Sequence, residues 1–367
     1  MTIRTVLVDD EVPARDRLRQ LLAEVPDVVI VGEAGDAIEA REAIAATRPD
    51  VVFLDIEMPQ VSGTALAHSL PEPRPFIVFA TAFDQYALDA FAVDATDYLV
   101  KPITRARLAG TLARVRERLS RRSDLERDLA AASAAQAALL PRTMPALPGF
   151  DAAALTRQAR GVGGDFFIAQ ELAGQRVALA LGDVAGKGLP AGLVASSLQA
   201  RIEAVARYGG GTATELVTAV NRTLCITSDG ARFATLTYLE VDAPSGDITL
   251  VNAGHLPALL ISPATAAQRF ASGGPALGLL PEATFPAHRV TMQAGEILVL
   301  ISDGVTEAFS PEGEEYGEAR LLDAITAHGA STAALMCQAI VDDVRRHAPG
   351  APGDDLTVLV LKRFPAA

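Results

Sequence analysis

The segment from Val177 to Ala200 constrains the fold of this chain most, because it places a carboxylate in a turn between two regular elements. Its sequence is VALALGDVAGKGLPAGLVASSLQA. The apolar run at its start predicts a buried strand, and the apolar residues after Pro190 predict a helix. Asp183 follows the strand, in a turn whose glycines let backbone carbonyls approach a ligand. Hard divalent cations prefer such oxygens, although this segment alone also fits a glycine-rich turn with a solvated aspartate.

Three other acidic turns adjoin predicted strands, and their sequences are GGD, SDG and GDD. They contribute Asp165, Asp303 and Asp354. Four carboxylates brought from distant strands to one point would form an oxygen-rich site, and their repulsion would be costly without cations. The four turns together therefore predict a divalent metal site.

The second half of the chain contains six motifs in a fixed order: VGGD, GDVAGKG, VNAGHLPALL, GGPALGLL, LISDGVTEAF and GDDLTVLVLKR. In this order they resemble bacterial PPM-type metal-dependent Ser/Thr protein phosphatases, above all the SpoIIE/RsbU-like branch. The resemblance covers roughly residues 135–364. It implies an α+β domain, a β-sandwich flanked by helices, that holds two Mg²⁺ or Mn²⁺ ions.

The same resemblance assigns the site residues. Asp183, Asp303 and Asp354 would be catalytic, with Asp183 bridging both metal ions beside the Val184 carbonyl. Asp303 and Asp354 would complete one ion, and Asp165 would serve the other. Two ions that share a water lower its pKa for in-line attack on phosphorus, so no covalent intermediate is needed.

Four further positions carry weaker expectations. The branch usually has an aspartate where this chain has Ile168. This difference puts auxiliary metal binding or substrate positioning at this position in question, but it leaves the core metal ligands intact. We expect His255 to be structural and Asp355 to orient its turn rather than bind metal. Lys187 could be a solvated loop residue or a substrate contact.

The first 120 or so residues alternate strands and helices, which predicts a five-stranded parallel α/β domain. Ligands of such sheets bind at the carboxyl ends of the strands. The predicted strands are Thr5–Val8, Val28–Glu33, Val51–Leu54, Phe76–Ala80 and Tyr98–Val100, and the helices are Pro13–Leu22, Ala37–Thr47, Gly63–Ser69 and Gln85–Ala92, with another from about Thr104.

Polar residues stand at the ends of four of these strands: Asp9, Asp10, Asp55, Thr81 and Lys101. A single aspartate there is usually a helix cap, but five such groups predict a site for a cation and a phosphoryl group.

The motifs VDD, LDIEMP, FATAFDQYALDAF and DYLVKP resemble the flavodoxin-like receiver domain of response regulators. The resemblance makes Asp55 the phospho-acceptor and gives Mg²⁺ to Asp9, Asp10, Asp55 and the Glu57 carbonyl. Lys101 would pair with the phosphoryl group. Thr81 and Tyr98 would be the switch pair, with ordinary packing as the alternative for Tyr98.

Between Thr104 and about Leu140 the sequence predicts one long helix with a narrow apolar seam that slips phase at Arg121-Arg122. Parallel dimerisation as a coiled coil is favoured over packing on its own domain. The seam residues are Leu108, Leu112, Val115, Leu119, Leu125, Leu129, Ala132 and Leu139. The domains are then a receiver at 1–119, a helical linker at 120–148 and a phosphatase at 149–367.

Within the second domain, three helical zones interrupt the predicted strands. The strands are Arg176–Leu181, Ala234–Val241, Asp247–Asn252, Ala258–Ile261, Glu296–Ile301 and Leu356–Lys362. The helical zones are about Leu189–Tyr208, Ala213–Leu224 and one between Glu318 and His347. Turns such as PSGD favour antiparallel pairing.

Charge and composition exclude several classes of protein. The net charge of −13 argues against direct nucleic-acid binding, which needs a basic surface. No apolar stretch approaches the ~20 residues that span a bilayer, and Cys225 and Cys337 have no zinc-type spacing. We therefore expect a cytoplasmic protein that does not contact membranes.

The combined prediction is a two-component response regulator whose output is a phosphoserine/phosphothreonine phosphatase. A sensor histidine kinase would phosphorylate Asp55, and the substrate would be a phosphorylated STAS-type anti-sigma-factor antagonist. The alternative is a non-catalytic partner-binding module with a structural metal site. A DNA-binding regulator is disfavoured, because no third domain with basic recognition helices is predicted.

Overall fold

The computed structural model describes residues 2–82, 95–159, 161–228, 232–262, 265–350 and 352–364. It divides the chain into two compact units, Met1–Arg127 and Asp128–Ala367. The predicted helix Gln85–Ala92 lies outside the described residues. No helix in the described segments is both long and apolar enough to cross a bilayer.

The first unit is built on one parallel sheet whose strand order is β2-β1-β3-β4-β5. One apolar cluster packs α2 and α3 on one face, and a second packs α1 and the start of α4 on the other. This confirms the predicted five-stranded parallel domain. The strands are β1 Ile3–Val8, β2 Val28–Ala34, β3 Val51–Leu54, β4 Phe76–Thr81 and β5 Asp97–Val100; the helices are α1 Val12–Ala23, α2 Ala37–Thr47, α3 Gly63–Ser69 and α4 Arg105–Leu139.

The long helix α4 is confirmed, but the first half of its apolar seam has a different role from the one expected. Leu108, Leu112, Val115 and Leu119 are buried in the core of the first unit. For this half the packed-helix alternative is therefore correct, because the sheet face covers these side chains. Leu125, Leu129 and Leu139 are exposed. Parallel pairing of the helix stays a prediction.

The second unit is a sandwich of two antiparallel sheets with helices on its outer faces, as predicted. One sheet has the order β13-β10-β9-β8-β7 and the other β12-β11-β14-β15-β6. Its strands are β6 Phe150–Arg157, β7 Phe166–Leu172, β8 Arg176–Val184, β9 Ala234–Asp242, β10 Asp247–Ala253, β11 Ala258–Ser262, β12 Thr265–Phe270, β13 Ala287–Thr291, β14 Ile297–Ile301 and β15 Leu356–Arg363. Its helices are α5 Leu189–Tyr208, α6 Ala213–Ser228, α7 Asp303–Thr306, α8 Gly317–Ala327 and α9 Ala333–His347.

Apolar side chains that point alternately to the two faces of the strands form three apolar layers in the second unit. In β15, Leu359 and Leu361 face the other sheet, whereas Val358 and Val360 face the layer of α8 and α9. A period of two puts successive side chains on opposite faces, so a strand covered on both sides is apolar throughout. Each such side chain contributes about 1.5–3 kcal/mol on burial.

The third helical zone, predicted between Glu318 and His347, contains two helices. The helix α8 ends before His328, and Thr332 caps α9 by accepting a hydrogen bond from the backbone N–H of Leu335. The threonine cap satisfies an otherwise unpaired donor and so starts a new helix.

Candidate functional sites

Three carboxylates meet at the carboxyl ends of the parallel strands in the first unit. One oxygen from each of Asp9, Asp10 and Asp55 lies within 4.8 Å of the others. Asp9 follows β1 and Asp55 follows β3, and both are buried, whereas Asp10 is exposed. Oxygen ligands at this spacing suit a hard cation such as Mg²⁺.

Lys101 supplies the cation of this pocket in the structure. Its Nζ lies 2.6 Å from Asp9 Oδ2 and 2.7 Å from Asp55 Oδ2. Burial would lower the pKa of Lys101, but its hydrogen bonds and charge contacts with Asp55 and Asp9 raise it above the ordinary value. Burial raises the pKa of Asp9 even against the influence of Lys101. The pocket therefore holds more negative charge than one ammonium balances.

Thr81, Tyr98 and Glu57 are the other residues that the receiver resemblance assigns to this pocket. Thr81 ends β4 and is fully buried, and its hydroxyl has no hydrogen-bond partner among the described residues. A buried hydroxyl without a partner is costly, so this one is suited to a ligand oxygen. Tyr98 is half-buried against the core, and the Glu57 backbone N–H donates to Asp55 Oδ1 at 3.4 Å.

In the second unit, the four acidic turns lie at the ends of strands from both sheets. Asp183 is the penultimate residue of β8, and Asp165 directly precedes β7. Asp303 opens α7 after β14, and Asp354 precedes β15. The sandwich thus brings together groups from four distant parts of the chain.

Hydrogen bonds between the turns hold them in register. The Val184 backbone N–H donates to the Gly164 carbonyl at 3.2 Å. Ser302 ties two other turns, because its hydroxyl donates to the Asp355 carbonyl at 3.1 Å and accepts from the Thr357 N–H at 2.9 Å. The sequence reasoning did not single out Ser302 or Thr357, since a hydroxyl between two strand ends has no local pattern.

Glycines keep the space between these turns open. A Cβ on Gly164 would lie 2.6 Å from the Val184 carbonyl oxygen and 2.8 Å from Asp183 Oδ1. A Cβ on Gly304 would collide with the Asp355 backbone. Such approaches are shorter than carbon and oxygen tolerate, so both positions require glycine.

The carboxylates of this cluster repel one another. Burial, and then the charges of Asp303 and Asp354, raise the pKa of Asp183 to about 7. Burial and Asp354 likewise raise the pKa of Asp303. Burial and the charge of Asp183 raise that of Asp165 well above its usual range. A set of oxygen donors that resists ionisation on its own fits bound divalent cations.

Asp165 and Asp355 are the inner members of the cluster. Asp165 is almost fully buried and accepts a hydrogen bond from the Thr357 hydroxyl at 2.5 Å. Asp355 accepts from the Ala159 N–H at 2.8 Å, and its other oxygen lies 3.5 Å from the Asp165 N. These contacts are those of a group that orients neighbouring turns, as we expected for Asp355.

Lys187 contacts a predicted metal ligand. Its Nζ lies 2.8 Å from Asp354 Oδ2 and donates to the Gly353 carbonyl at 3.0 Å. Both charged side chains are about half exposed, so the pair is accessible to other ions.

His255 ties the two sheets at the same end of the sandwich. Its Nε2 donates to the Ile301 carbonyl at 3.1 Å, so its Nδ1 accepts from the Thr235 hydroxyl at 2.7 Å. Burial lowers its pKa to about 4, so the ring is neutral at pH 7. Thr235 pairs with Asp183 across β8 and β9, and Ile301 lies two residues before Asp303. These contacts support the structural role expected for His255.

Ile168 and Gln136 occupy positions that the sequence did not explain. Ile168 is fully buried in the core beneath α5, so an aspartate there would lie among apolar groups. Gln136, near the end of α4, brackets Gly163: its Nε2 donates to the Gly163 carbonyl at 2.8 Å, and its Oε1 accepts the Gly163 N–H at 3.1 Å. A lone glutamine in an alanine-rich helix is the only local signal of this contact.

Both halves of the chain match the families that their motifs resemble. Residues 173–364 match Stage II sporulation protein E (SpoIIE), and residues 5–113 match the response regulator receiver domain. Over 120 residues the chain is 52% identical to Transcriptional regulatory protein BtsR of Escherichia coli (strain K12), which is 32% of this chain and 50% of that protein. The chain therefore spans about half the length of the curated relatives it matches.

Two solved structures share the architecture of the second half. The RsbU and RsbW domains of Rv1364c from Mycobacterium tuberculosis are 28% identical with a TM-score of 0.55, covering 62% of this chain and 64% of that one. The SiaA-PP2C domain of Pseudomonas aeruginosa is 22% identical with a TM-score of 0.59, covering 66% of this chain and 98% of that one. At 22% identity, the match to the SiaA-PP2C domain shows a shared fold.

Proposed function

The chain belongs to the SpoIIE family and carries a response regulator receiver domain, and from this premise we propose that it is a phosphorylation-controlled protein phosphatase. The second unit hydrolyses phosphoserine or phosphothreonine on a protein. Its substrate is a STAS-type anti-sigma-factor antagonist. Phosphorylation of Asp55 by a sensor histidine kinase controls that activity.

The cluster of mutually repelling carboxylates carries this proposal. Asp183 is held at a pKa of about 7 by burial and by Asp303 and Asp354. Such a cluster destabilises the fold on its own, and a bound cation would restore the lost stability. A solvated acidic surface would not bury Asp165 or require glycine at positions 164 and 304.

Asp165, Asp183, the Val184 carbonyl, Asp303 and Asp354 would hold two Mg²⁺ or Mn²⁺ ions, which when bound supply an activated water and neutralise phosphoryl charge. The protein's own contribution is positioning. Gly164 keeps side chains away from Asp183, and the Thr357 hydroxyl orients Asp165. Lys187 competes for Asp354 and would be free to meet a phosphoryl oxygen once cations take its place.

The test is phosphate release from a phosphoserine protein by wild type and by Asp183→Asn and Asp303→Asn. Removal of either metal ligand should reduce turnover more than about 100-fold, since even outer contacts of metal sites are worth 10–100-fold. Asp323→Asn, an exposed aspartate on α8, is the matched control. Turnover that persists in excess chelator would refute the two-metal proposal. Metal binding without any turnover would favour the non-catalytic partner-binding module.

The receiver pocket supports the regulatory half of the proposal. Lys101 contacts both Asp9 and Asp55, and the buried Thr81 hydroxyl has no partner among the described residues. Asp9, Asp10, Asp55 and the Glu57 carbonyl would hold Mg²⁺. Lys101 would pair with the new phosphoryl oxygens, and Thr81 with Tyr98 would respond to them.

The regulatory test is labelling by a small phosphodonor in Mg²⁺. Wild type should take up one phosphoryl group, and Asp55→Asn none. Equal labelling of Asp55→Asn would refute the assignment of the acceptor. A panel of phosphorylated STAS-type proteins, offered to labelled and unlabelled enzyme, identifies the substrate and the direction of control.

Parallel pairing through α4 is the proposed assembly. The exposed Leu125 and Leu129 supply an apolar strip on this helix. Light scattering should report a homodimer for the wild type, and Leu125→Glu with Leu129→Glu should reduce it to a monomer. An unchanged mass would show that these leucines do not form the interface.

A further inference from the structure

The end of the long helix α4 lies against the turn that carries Asp165. Gln136 is 7% exposed, although most residues around it on this helix are exposed. It stands three residues before the last residue of α4, Leu139. A Cβ on Gly161, at the start of the turn, would lie 3.8 Å from the side chain of Ser133, which is about one helical turn before Gln136. One face of the helix end therefore packs on the turn.

Gln136 binds both backbone polar groups of Gly163. Its Nε2 donates to the Gly163 carbonyl at 2.8 Å, and its Oε1 accepts the Gly163 N–H at 3.1 Å. A side-chain amide can make both bonds because it carries a donor and an acceptor at its end. The two bonds fix the peptide of Gly163 much as an adjacent strand would.

Further contacts orient the amide of Gln136 itself. Gln158, just after β6, donates from its Nε2 to Gln136 Oε1 at 2.8 Å. Gln136 Nε2 also lies 3.5 Å from the Gly192 carbonyl in the first turn of α5. A Cβ on Gly192 would collide with Val162 and would lie 3.1 Å from Gln136 Nε2. The amide is thus held from three sides and has little freedom to turn away from Gly163.

Gly163 adjoins the groups that would hold the metal ions. Gly164 follows it, accepts the Val184 N–H at 3.2 Å and leaves no room for a Cβ beside Asp183 Oδ1. Asp165 is the next residue in the chain, and all three residues of this turn are buried. A shift of Gly163 would therefore reach Asp165 and Asp183, since closely packed groups move together.

We propose that Gln136 is a positioning residue of the phosphatase site and sets its affinity for metal ions by holding Gly163 in place. The inference rests on the proposed phosphatase function and makes the end of α4 part of the support of the site. Gln136 acts on the ligands through the backbone of the turn. Groups that orient metal ligands in this way are worth about 10–100-fold in metal affinity.

The test is Mn²⁺ binding by the full chain, measured by calorimetry for wild type and Gln136→Met. Methionine keeps the length and helix preference of glutamine but lacks its amide. The Kd for Mn²⁺ should rise about 10-fold or more, and so should the Mn²⁺ concentration for half-maximal hydrolysis of p-nitrophenyl phosphate. The KM for the ester in saturating Mn²⁺ should stay within about 2-fold. Binding of Mn²⁺ by the receiver is common to both proteins and cancels in the comparison.

Gln199→Met is the matched control. Gln199 is a second buried glutamine, and its Nε2 donates to the Leu139 carbonyl at 2.7 Å and to Glu203 at 3.1 Å. It therefore anchors the end of α4 from α5 rather than from the metal turn. Both substitutions should lower the urea midpoint in chelator, because each removes buried hydrogen bonds. Gln136→Met should weaken Mn²⁺ binding, whereas Gln199→Met should leave the Kd within about 2-fold of wild type.

A second variant covers the case in which Gln136→Met does not fold. Gln136→Glu keeps the acceptor for the Gly163 N–H and loses the donor to the Gly163 carbonyl, so it should also raise the Kd. An unchanged Kd in the Gln136 variants, or an equal loss in Gln199→Met, would overturn the positioning role. Wild type that binds Mn²⁺ without hydrolysing the ester would overturn the proposed function, while the Kd values still decide the role of Gln136. Wild type that binds no Mn²⁺ would overturn both.

Discussion

Asp183→Asn should stabilise the metal-free second unit while abolishing its activity. Burial and the charges of Asp303 and Asp354 raise the pKa of Asp183 from 3.8 to about 7. A carboxyl that binds its proton more tightly when folded stabilises the fold fully below pH 3.8, and this stability is lost as pH rises through 7. Asparagine has the shape of the neutral carboxyl and never ionises. The substitution therefore removes a penalty that the wild type carries at pH 8.

The gap between 3.8 and about 7 corresponds to ~4 kcal/mol, since each pKa unit is worth about 1.4 kcal/mol. Part of this free energy belongs to the whole carboxylate cluster rather than to Asp183 alone, because interacting carboxylates titrate together. We expect Asp183→Asn to raise the unfolding free energy by about 2–4 kcal/mol at pH 8. For a domain of 150–250 residues this is roughly 5–15 °C in Tm. The difference should shrink steadily towards pH 4.

The assay is urea unfolding of the full chain in excess chelator at several pH values, followed by circular dichroism because the chain has no tryptophan. The transition of the second unit should move, and that of the first should not. The pKa of His255 is lowered to about 4, so its contribution to the unfolding free energy declines as pH falls from 6.5 through 4. This contribution is the same in both proteins and cancels in the difference. Asp323→Asn is again the control.

Mn²⁺ should reverse the order, because only the wild type gains stability by binding the ion. A variant less stable than wild type at pH 8 in chelator would refute the reasoning. So would a difference that does not depend on pH.

Three further predictions follow from the same contacts. His255→Ala removes the hydrogen bonds that the imidazole makes to the part-buried Thr235 hydroxyl and to the buried Ile301 carbonyl, and should lower the unfolding free energy by ~2–4 kcal/mol in urea titrations. Gly164→Ala should weaken Mn²⁺ binding at least 10-fold in calorimetry by pushing on the Val184 carbonyl, whereas Gly110→Ala, with nothing within 4 Å, should not. Inserting two residues after Arg122 rotates the helix by about 200° and should uncouple turnover from receiver phosphorylation, whereas four residues should largely preserve the coupling.

Each of these has a clear contrary result. Unchanged stability of His255→Ala would mean that the sheets are tied elsewhere. Tight Mn²⁺ binding by Gly164→Ala would show that the turn yields without cost. Identical regulation by both insertions would make the helix a passive tether.

The sequence by itself determined the elements whose residues carry a strong local pattern. The strands β1 to β5, the helix α4 and the acidic turns were predictable, because strand periodicity and turn glycines act over a few residues. The order of the acidic turns along the chain was enough to place Asp165, Asp183, Asp303 and Asp354 at strand ends. Weakly patterned strands were missed: β6 has three consecutive alanines and forms because it pairs with β15 along its whole length.

Only the tertiary structure decided which distant groups share one space. Leu108 and Leu119 fit a dimer seam by spacing, yet a sheet face of their own unit buries them. Gln136 brackets Gly163, and His255 joins Thr235 to Ile301, across separations that no local pattern encodes. The pKa of Asp183 likewise depends on burial and on carboxylates more than a hundred residues away. Spacing determines which face of an element is apolar, but its partner depends on how the whole chain closes, because burial and charge are properties of the assembled neighbourhood.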